Sequence, residues 1–590
     1  MMRRIWRGVA LIIAAPVAVV PVAAAAQCLP GLCNFTEKGA KGPFIAVEVK
    51  PEKLAEADTV IAKARLEKAL AAGSIDRGEL FGTGLSLPKT EMALEAIVDS
   101  FRPHWPHAQP GPIDVKIVAN YSFSPLAYSD NVIVVPLGML IKATNDDQIV
   151  WLLAHEFSHV ALRHFSRQAK GRKREMLLGS AVSILQEGAV AVNSRYRYVN
   201  GNLTSNIADR KEAEKIANNI FFRSENLRDL LSLANKFFSR SQEDQADVAG
   251  IDLAYAVGLS DSGAGEAIEE LGKEDLARKN ILAAFGDDLA GYAKIEAARA
   301  LNVAADGRSL EQQGGNFLDN ALGNVGAIAV KQLTERYGAT HRPTEARRTG
   351  VSRYFERAYP NGESRNTVVK RLTAIRAEAE YRDGKLVVDA ITQARALLAS
   401  GEAQQAIDAL QPALRSRYSQ SAVFQNVAAQ AYASAGQYPQ AEKYYAVAMQ
   451  RTNTADNPYL AQSLQGFKEH IDLLIHMGNV RRADEVIGIA AVRFGDDQAF
   501  LPQRLRMAAK RRNAEAILAV MTKCAATADP ELIAACEAEL GGPDVTAVYD
   551  QLTPLEKQKI NEERARVRHS SQSNGLMGKL TRALGGSDDD

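Results

Sequence analysis

The pentapeptide His155-Glu156-Phe157-Ser158-His159 constrains this chain more than any other stretch. Histidines four residues apart share one face of a helix, so both imidazoles can reach a single ion. The flanks agree with a helix. Thr144-Asn145-Asp146-Asp147 is a helix-start signal, and the apolar-periodic run behind it extends to about Gln168. Glu156, one position after the first histidine, can touch a water on such an ion while staying off the metal. It is the candidate catalytic base.

A hydrolytic zinc site needs a third protein ligand and one position left for water. A histidine six residues after His159 would serve, but that position is Phe165. A glutamate followed four residues later by aspartate would also serve. Glu175 and Glu187 fail, because Gly179 and Ala191 stand at that spacing. Glu243-Asp244-Gln245-Ala246-Asp247 fits. The expected metal ligands are thus His155, His159 and Glu243, holding one Zn2+ per chain. Asp247 would bond a histidine's distal N–H and fix its tautomer.

HExxH followed at long range by ExxAD resembles the gluzincin metallopeptidases, typified by the HtpX heat-shock protease and the CAAX prenyl endopeptidase. His164 fits the longer HExxHxxxxH pattern of that family. Thr340-His341-Arg342-Pro343 with Arg347 follows its Thr/Ser-His-Pro loop, except that Arg342 displaces the proline by one position. The resemblance implies a zinc-dependent endopeptidase acting on protein or peptide substrates. It also implies a role for His341 as oxyanion donor or resting-state ligand, and for Arg347 as a support behind the ligands. Substrate peptides commonly pair with a sheet edge. Ser122 to Tyr128 is the candidate edge, reading Pro125-Leu126-Ala127-Tyr128 where the family carries Asn-Ala-aromatic. Pro125 removes one ladder donor.

Around this core the chain divides by texture. Lys89 to Arg102 reads as helix, and Ile113 to Ala119 and Asn131 to Pro136 as short strands. A long insertion follows to about Arg223. Within it, Met176 to Val192 could cover the cleft as a lid or touch a membrane surface. Another helix is expected from Asn226 through Ala256. Beyond 388 a repeat emerges: Ala394, Leu397, Gly401, Ala406, Leu410 and Ala413 recur as Ala429, Tyr432, Gly436, Ala441, Tyr445 and Ala448. A third copy is Ile471, Leu474, Gly478, Ala483, Ile487 and Ala490, with extra residues around Asn457-Pro458. The pattern resembles the tetratricopeptide repeat. The expected fold is mainly α: a zincin-like α+β core with a small sheet over 87–380, then a tetratricopeptide-like helical array over 388–560. A leader over 1–26, an N-terminal segment over 27–86 and a disordered tail over 561–590 complete the division.

Arg3, Arg4 and Arg7, an apolar run from Val9 to Val20, and Ala24-Ala25-Ala26 read as a cleavable export signal. The alternative is a retained membrane anchor. Export to a periplasmic compartment suits local pairing of Cys28 with Cys33 and of Cys524 with Cys536. With 71 basic against 70 acidic side chains, no excess positive charge points to nucleic acid. The expected partners are peptide substrates and envelope-protein assembly machinery engaged through the repeats, with peripheral membrane contact as a further option.

Overall fold

The computed structural model describes residues 42–46, 83–128, 131–167, 238, 240–260, 262–277, 279–280, 343–361, 370–450, 458–495, 497–527 and 551–573, and five residues between 532 and 548. The leader, Cys28 and Cys33, Met176–Val192 and His341 lie outside the described residues.

Helix α1 (Pro88–Ser100) precedes strands β1 (Asp114–Val118), β2 (Leu126–Ala127) and β3 (Val132–Pro136). The sheet order is β1-β3-β2. β1 runs parallel to β3, with Asp114 opposite Val132 and Val118 opposite Pro136. β2 is antiparallel to β3 and forms an edge. The edge expected over Ser122–Tyr128 contracts to two strand residues. Upstream of them Ser122 and Ser124 turn the chain locally, with Ser122 N–H bonded to Asn120 Oδ1 and Ser124 N–H to Ser122 Oγ.

Helix α2 (Leu137–Lys142) then leads into α3 (Asp146–Ala161), which carries the HExxH residues. Asn145 caps α3 by accepting the Gln148 N–H, the role that favours Asn at this position. Every residue of α3 is buried. The helix is therefore the centre of the peptidase core rather than one of its faces. It stops at Ala161, short of the expected Gln168, because Arg163 takes a left-handed φ of 55° and breaks the turn.

Helix α4 (Arg240–Ala256) packs directly on α3. A helix over 262–277 (α5), α6 (Thr344–Ala358) and α7 (Lys370–Ala377) complete the peptidase portion. The repeat portion follows as paired helices: α8 (Ala379–Ala399) with α9 (Ala403–Leu410), α10 (Ala422–Ser434) with α11 (Tyr438–Gln450), α12 (Leu464–His476) with α13 (Val480–Phe494), and α14 (Leu501–Lys510) with α15 (Ala514–Ala526). The first of these begins nine residues before the expected boundary at 388. Among the described residues, no solvated linker separates the two portions. One apolar core runs from Phe44 through the sheet and α3 to Val387, Ile391 and Ala431. α16 (Pro554–Ser573) closes the described chain. It continues through the first part of the tail expected to be disordered, because Thr553 and Glu556 cap its start reciprocally. The Arg566–Glu563 pair adds support along it.

The three repeat glycines share one geometry. Gly401, Gly436 and Gly478 have φ of 80°, 74° and 75°, the left-handed conformation that glycine adopts without steric penalty. In each copy the N–H just after the glycine bonds back to the carbonyl four residues before it: Glu402 to Leu397, Gln437 to Tyr432, and Asn479 to Leu474. A fourth pair closes identically, Asn513 to Ala508, with Arg512 at φ 52° in the glycine position. Leu505, Ala508, Ile517, Met521 and Cys524 then fill the remaining repeat positions, all buried. Cys524 is bonded to Cys536, so a disulfide occupies the place that Ala413, Ala448 and Ala490 hold in the other copies.

Candidate metal centre

α3 and α4 bring the expected ligands to one point. His155 Nε2 lies 3.0 Å from His159 Nε2. Glu243 Oε2 is 3.6 Å from the first and Glu243 Oε1 3.7 Å from the second. A tetrahedral zinc with bonds of roughly 2.0–2.2 Å separates its ligand atoms by about 3.3–3.5 Å. The observed separations of 3.0 to 3.7 Å bracket that range, with each carboxylate oxygen of Glu243 facing one histidine. The two helices approach this closely where Gly250 of α4 crosses α3. A Cβ there would stand 3.2 Å from the His155 backbone nitrogen.

Each imidazole is engaged at its other nitrogen. His155 Nδ1 lies 2.9 Å from Asp247 Oδ1. His159 Nδ1 lies 2.9 Å from His164 Nδ1. His164 Nε2 in turn faces Gln245 Oε1 at 3.0 Å. With that amide oxygen accepting, His164 Nδ1 is left to accept the N–H of His159. Burial holds the His164 imidazole down at about 3, so it is neutral and can play this part. Both ligand histidines thus spend their N–H away from the centre, and three lone-pair atoms converge. A divalent cation completes such a donor set. Among the described residues, His155, His159 and Glu243 are the group able to hold a metal.

The break at Arg163 explains how His164 reaches His159. On a continued helix, positions five apart diverge by about 140°. Phe238 stacks on the face of the His159 ring, with centroids 3.7 Å apart. Arg347 of α6 binds both oxygens of Asp247, at 2.7 and 2.5 Å. Burial alone would raise the Asp247 carboxyl, but the Arg347 charge and hydrogen bonds, with His155, outweigh it and hold it at about 2. Asp247 is therefore an anion between an arginine and a histidine.

Glu156 projects toward β2. Its Oε2 accepts the backbone N–H of Ala127 at 2.6 Å. That strand residue points its N–H away from β3, because its neighbour Tyr128 N–H bonds to Val132 O. Burial pushes the Glu156 carboxyl up to about 7, against the opposing pull of His155 and the Ala127 N–H.

Residues 115–350 match the model of peptidase family M48. A metallopeptidase domain therefore spans the sheet, both ligand helices and Arg347. Peptidases of this family are zinc-dependent, which agrees with the donor triangle. No curated protein matches the chain. Sequence reasoning had named the ligands, Glu156, Asp247 and Arg347, and the domain brings them together. It had missed Gln245 and Phe238. Both belong to types that usually have other duties, and only the approach of Phe238 and α4 to α3 shows what they touch.

Proposed function

We propose that this chain is a zinc endopeptidase of the HExxH…ExxxD type, exported to act on misfolded or stalled envelope proteins. The observation that carries the catalytic reading is the convergence of His155, His159 and Glu243, with Glu156 beside them on the sheet edge. Bound there, zinc supplies the Lewis acidity that polarises the scissile carbonyl and activates water for attack. The chain's own residues do the rest. Glu156 takes a proton from the attacking water and returns it to the leaving amine. Asp247, fixed by Arg347, holds His155 in the tautomer that leaves Nε2 free for the ion; Gln245 and His164 do the same for His159. A substrate peptide lies along the outer edge of β2, where the Ala127 carbonyl points away from β3 and the N–H beside it is held by Glu156.

Three features support the wider reading. The N-terminal Arg, apolar and Ala pattern is that of an export signal. The Cys524–Cys536 disulfide suits an oxidising compartment. The paired helices, closing alike on Gly401, Gly436, Gly478 and Arg512, suit a tetratricopeptide-like scaffold for clients or an assembly machine. Leader, peptidase and repeats in this order resemble the periplasmic barrel-assembly-enhancing protease. In the competing reading, the repeats act as a chaperone scaffold and the metal site is idle. Casein cleavage by wild type and Glu156→Gln separates the two. The expected loss is 10²-fold or more, with the fold unchanged; equal cleavage by both proteins would support the scaffold.

A further inference from the structure

The spacing between repeat copies is uneven. Gly401, Gly436, Gly478 and Arg512 are separated by 35, 42 and 34 residues, so only the second junction carries extra chain. Its described end forms a short turn, Pro458–Leu460, between α11 and α12. Tyr459 of this turn is buried, and it lies not in the array but on the peptidase sheet. There it joins Val118, Leu126, Tyr128, Val132 and Val134 in one apolar cluster.

This contact explains a feature of β3. All five of its residues are buried, as in strands covered on both faces. Ile133 and Val135 face the main core, while Val132 and Val134 face Tyr459. The junction is also pinned by backbone. Gly84 bridges to Val118 at the far edge of the sheet, and its N–H bonds to Tyr459 O at 2.9 Å. Any Cβ on Gly84 would fall 2.8 Å from Tyr459 atoms, so only glycine permits the approach. On the array side, Gln462 exchanges two hydrogen bonds with Asn426 of α10, at 2.8 and 2.7 Å. The turn is held by the repeats and pressed against the sheet.

Leu126 and Tyr128 flank Ala127, the residue whose N–H meets Glu156. We infer that Tyr459 is a positioning residue through which the repeat array sets the substrate-binding edge. Asn426 fixes Gln462, the turn places Tyr459 beneath Leu126 and Tyr128, and these hold Ala127 at its distance from Glu156. This inference rests on the reading of β2 as the edge that receives the peptide.

The test uses the full-length zinc-loaded protein and a quenched-fluorescence casein peptide that the wild type cleaves. Tyr459→Ala should raise KM about tenfold for the zinc-loaded protein, and Tyr459→Phe should restore it. A merely structural role would lower the active fraction and leave KM alone. If Tyr459→Ala does not fold, Asn426→Ala, which unclamps the turn from inside the array, must raise KM by itself. An unchanged KM in the folded variant overturns the inference. A series of the same peptide, singly N-methylated along its backbone, separates this failure from that of the edge reading. If no methylation raises the wild-type KM, the edge reading fails. If methylation matters while Tyr459→Ala does not, only the role of Tyr459 falls.

Discussion

At the scale of single residues, the centre depends on what stands behind each ligand. His155 and His159 are oriented by different partners, a carboxylate held by arginine and a neutral imidazole held by an amide. The ligands, Glu156 and Asp247 were legible because their spacing on a helix is itself the chemistry. Phe238 and Gln245 were not, since their role exists only where α4 crosses α3. Asp252 is another residue without a sequence signal. Its carboxyl accepts from Tyr354 OH, Tyr359 OH and the Ile45 N–H, tying the stretch 42–46 to α4 and α6. Burial outweighs these donors and pushes Asp252 up to about 7. A carboxyl raised in the folded state favours folding in its protonated form. That contribution is complete below about pH 4 and is lost progressively as pH rises to about 7, on the order of 4 kcal/mol. Asp252→Asn should therefore lose less stability than wild type across that window, measured by urea unfolding at pH 4.5 and 7.5. Parallel slopes in the two proteins would show that Asp252 does not titrate there.

At the scale of elements, the repeat helices were legible because small and bulky residues recur in register around a glycine. The fourth pair lacks the glycine signature for a physical reason. Its αL position is filled by Arg512, which breaks the sequence signature while keeping the backbone geometry. A side chain in that conformation costs about 1–2 kcal/mol, partly offset by the greater freedom glycine has when unfolded. Arg512 is exposed, so Arg512→Gly removes strain without opening the core. It should stabilise the protein by about 0.5–1 kcal/mol in urea unfolding, and Gly478→Ala should destabilise it by about 1 kcal/mol. A neutral or destabilising Arg512→Gly would mean that side-chain contacts of the arginine hold that turn.

At the scale of the whole molecule, peptidase and repeats are not beads on a string. Glu380, at the start of α8, accepts the N–H and hydroxyl of Thr90 in the first turn of α1. Tyr418, ahead of α10, donates its hydroxyl to the Ser86 carbonyl at 2.9 Å. Tyr381 of α8 donates to the Leu140 carbonyl in α2, which Arg376 of α7 gathers together with those of Ile141 and Ala143. A division at 388 follows a change of composition, yet composition is blind to these long-range contacts and to the shared core. The same blindness hid the destination of the extra residues near Asn457-Pro458. They were visible as an irregularity in the repeat, but their contact is more than 300 residues away in sequence. All of this converges on one centre, whose identity a metal titration tests most directly. After chelation, wild type should regain casein cleavage on adding one equivalent of zinc, while Glu243→Ala should neither retain stoichiometric zinc nor recover. Cleavage that survives chelation, or a Glu243→Ala protein that binds and works as wild type does, would contradict the assignment of His155, His159 and Glu243 as the catalytic zinc site.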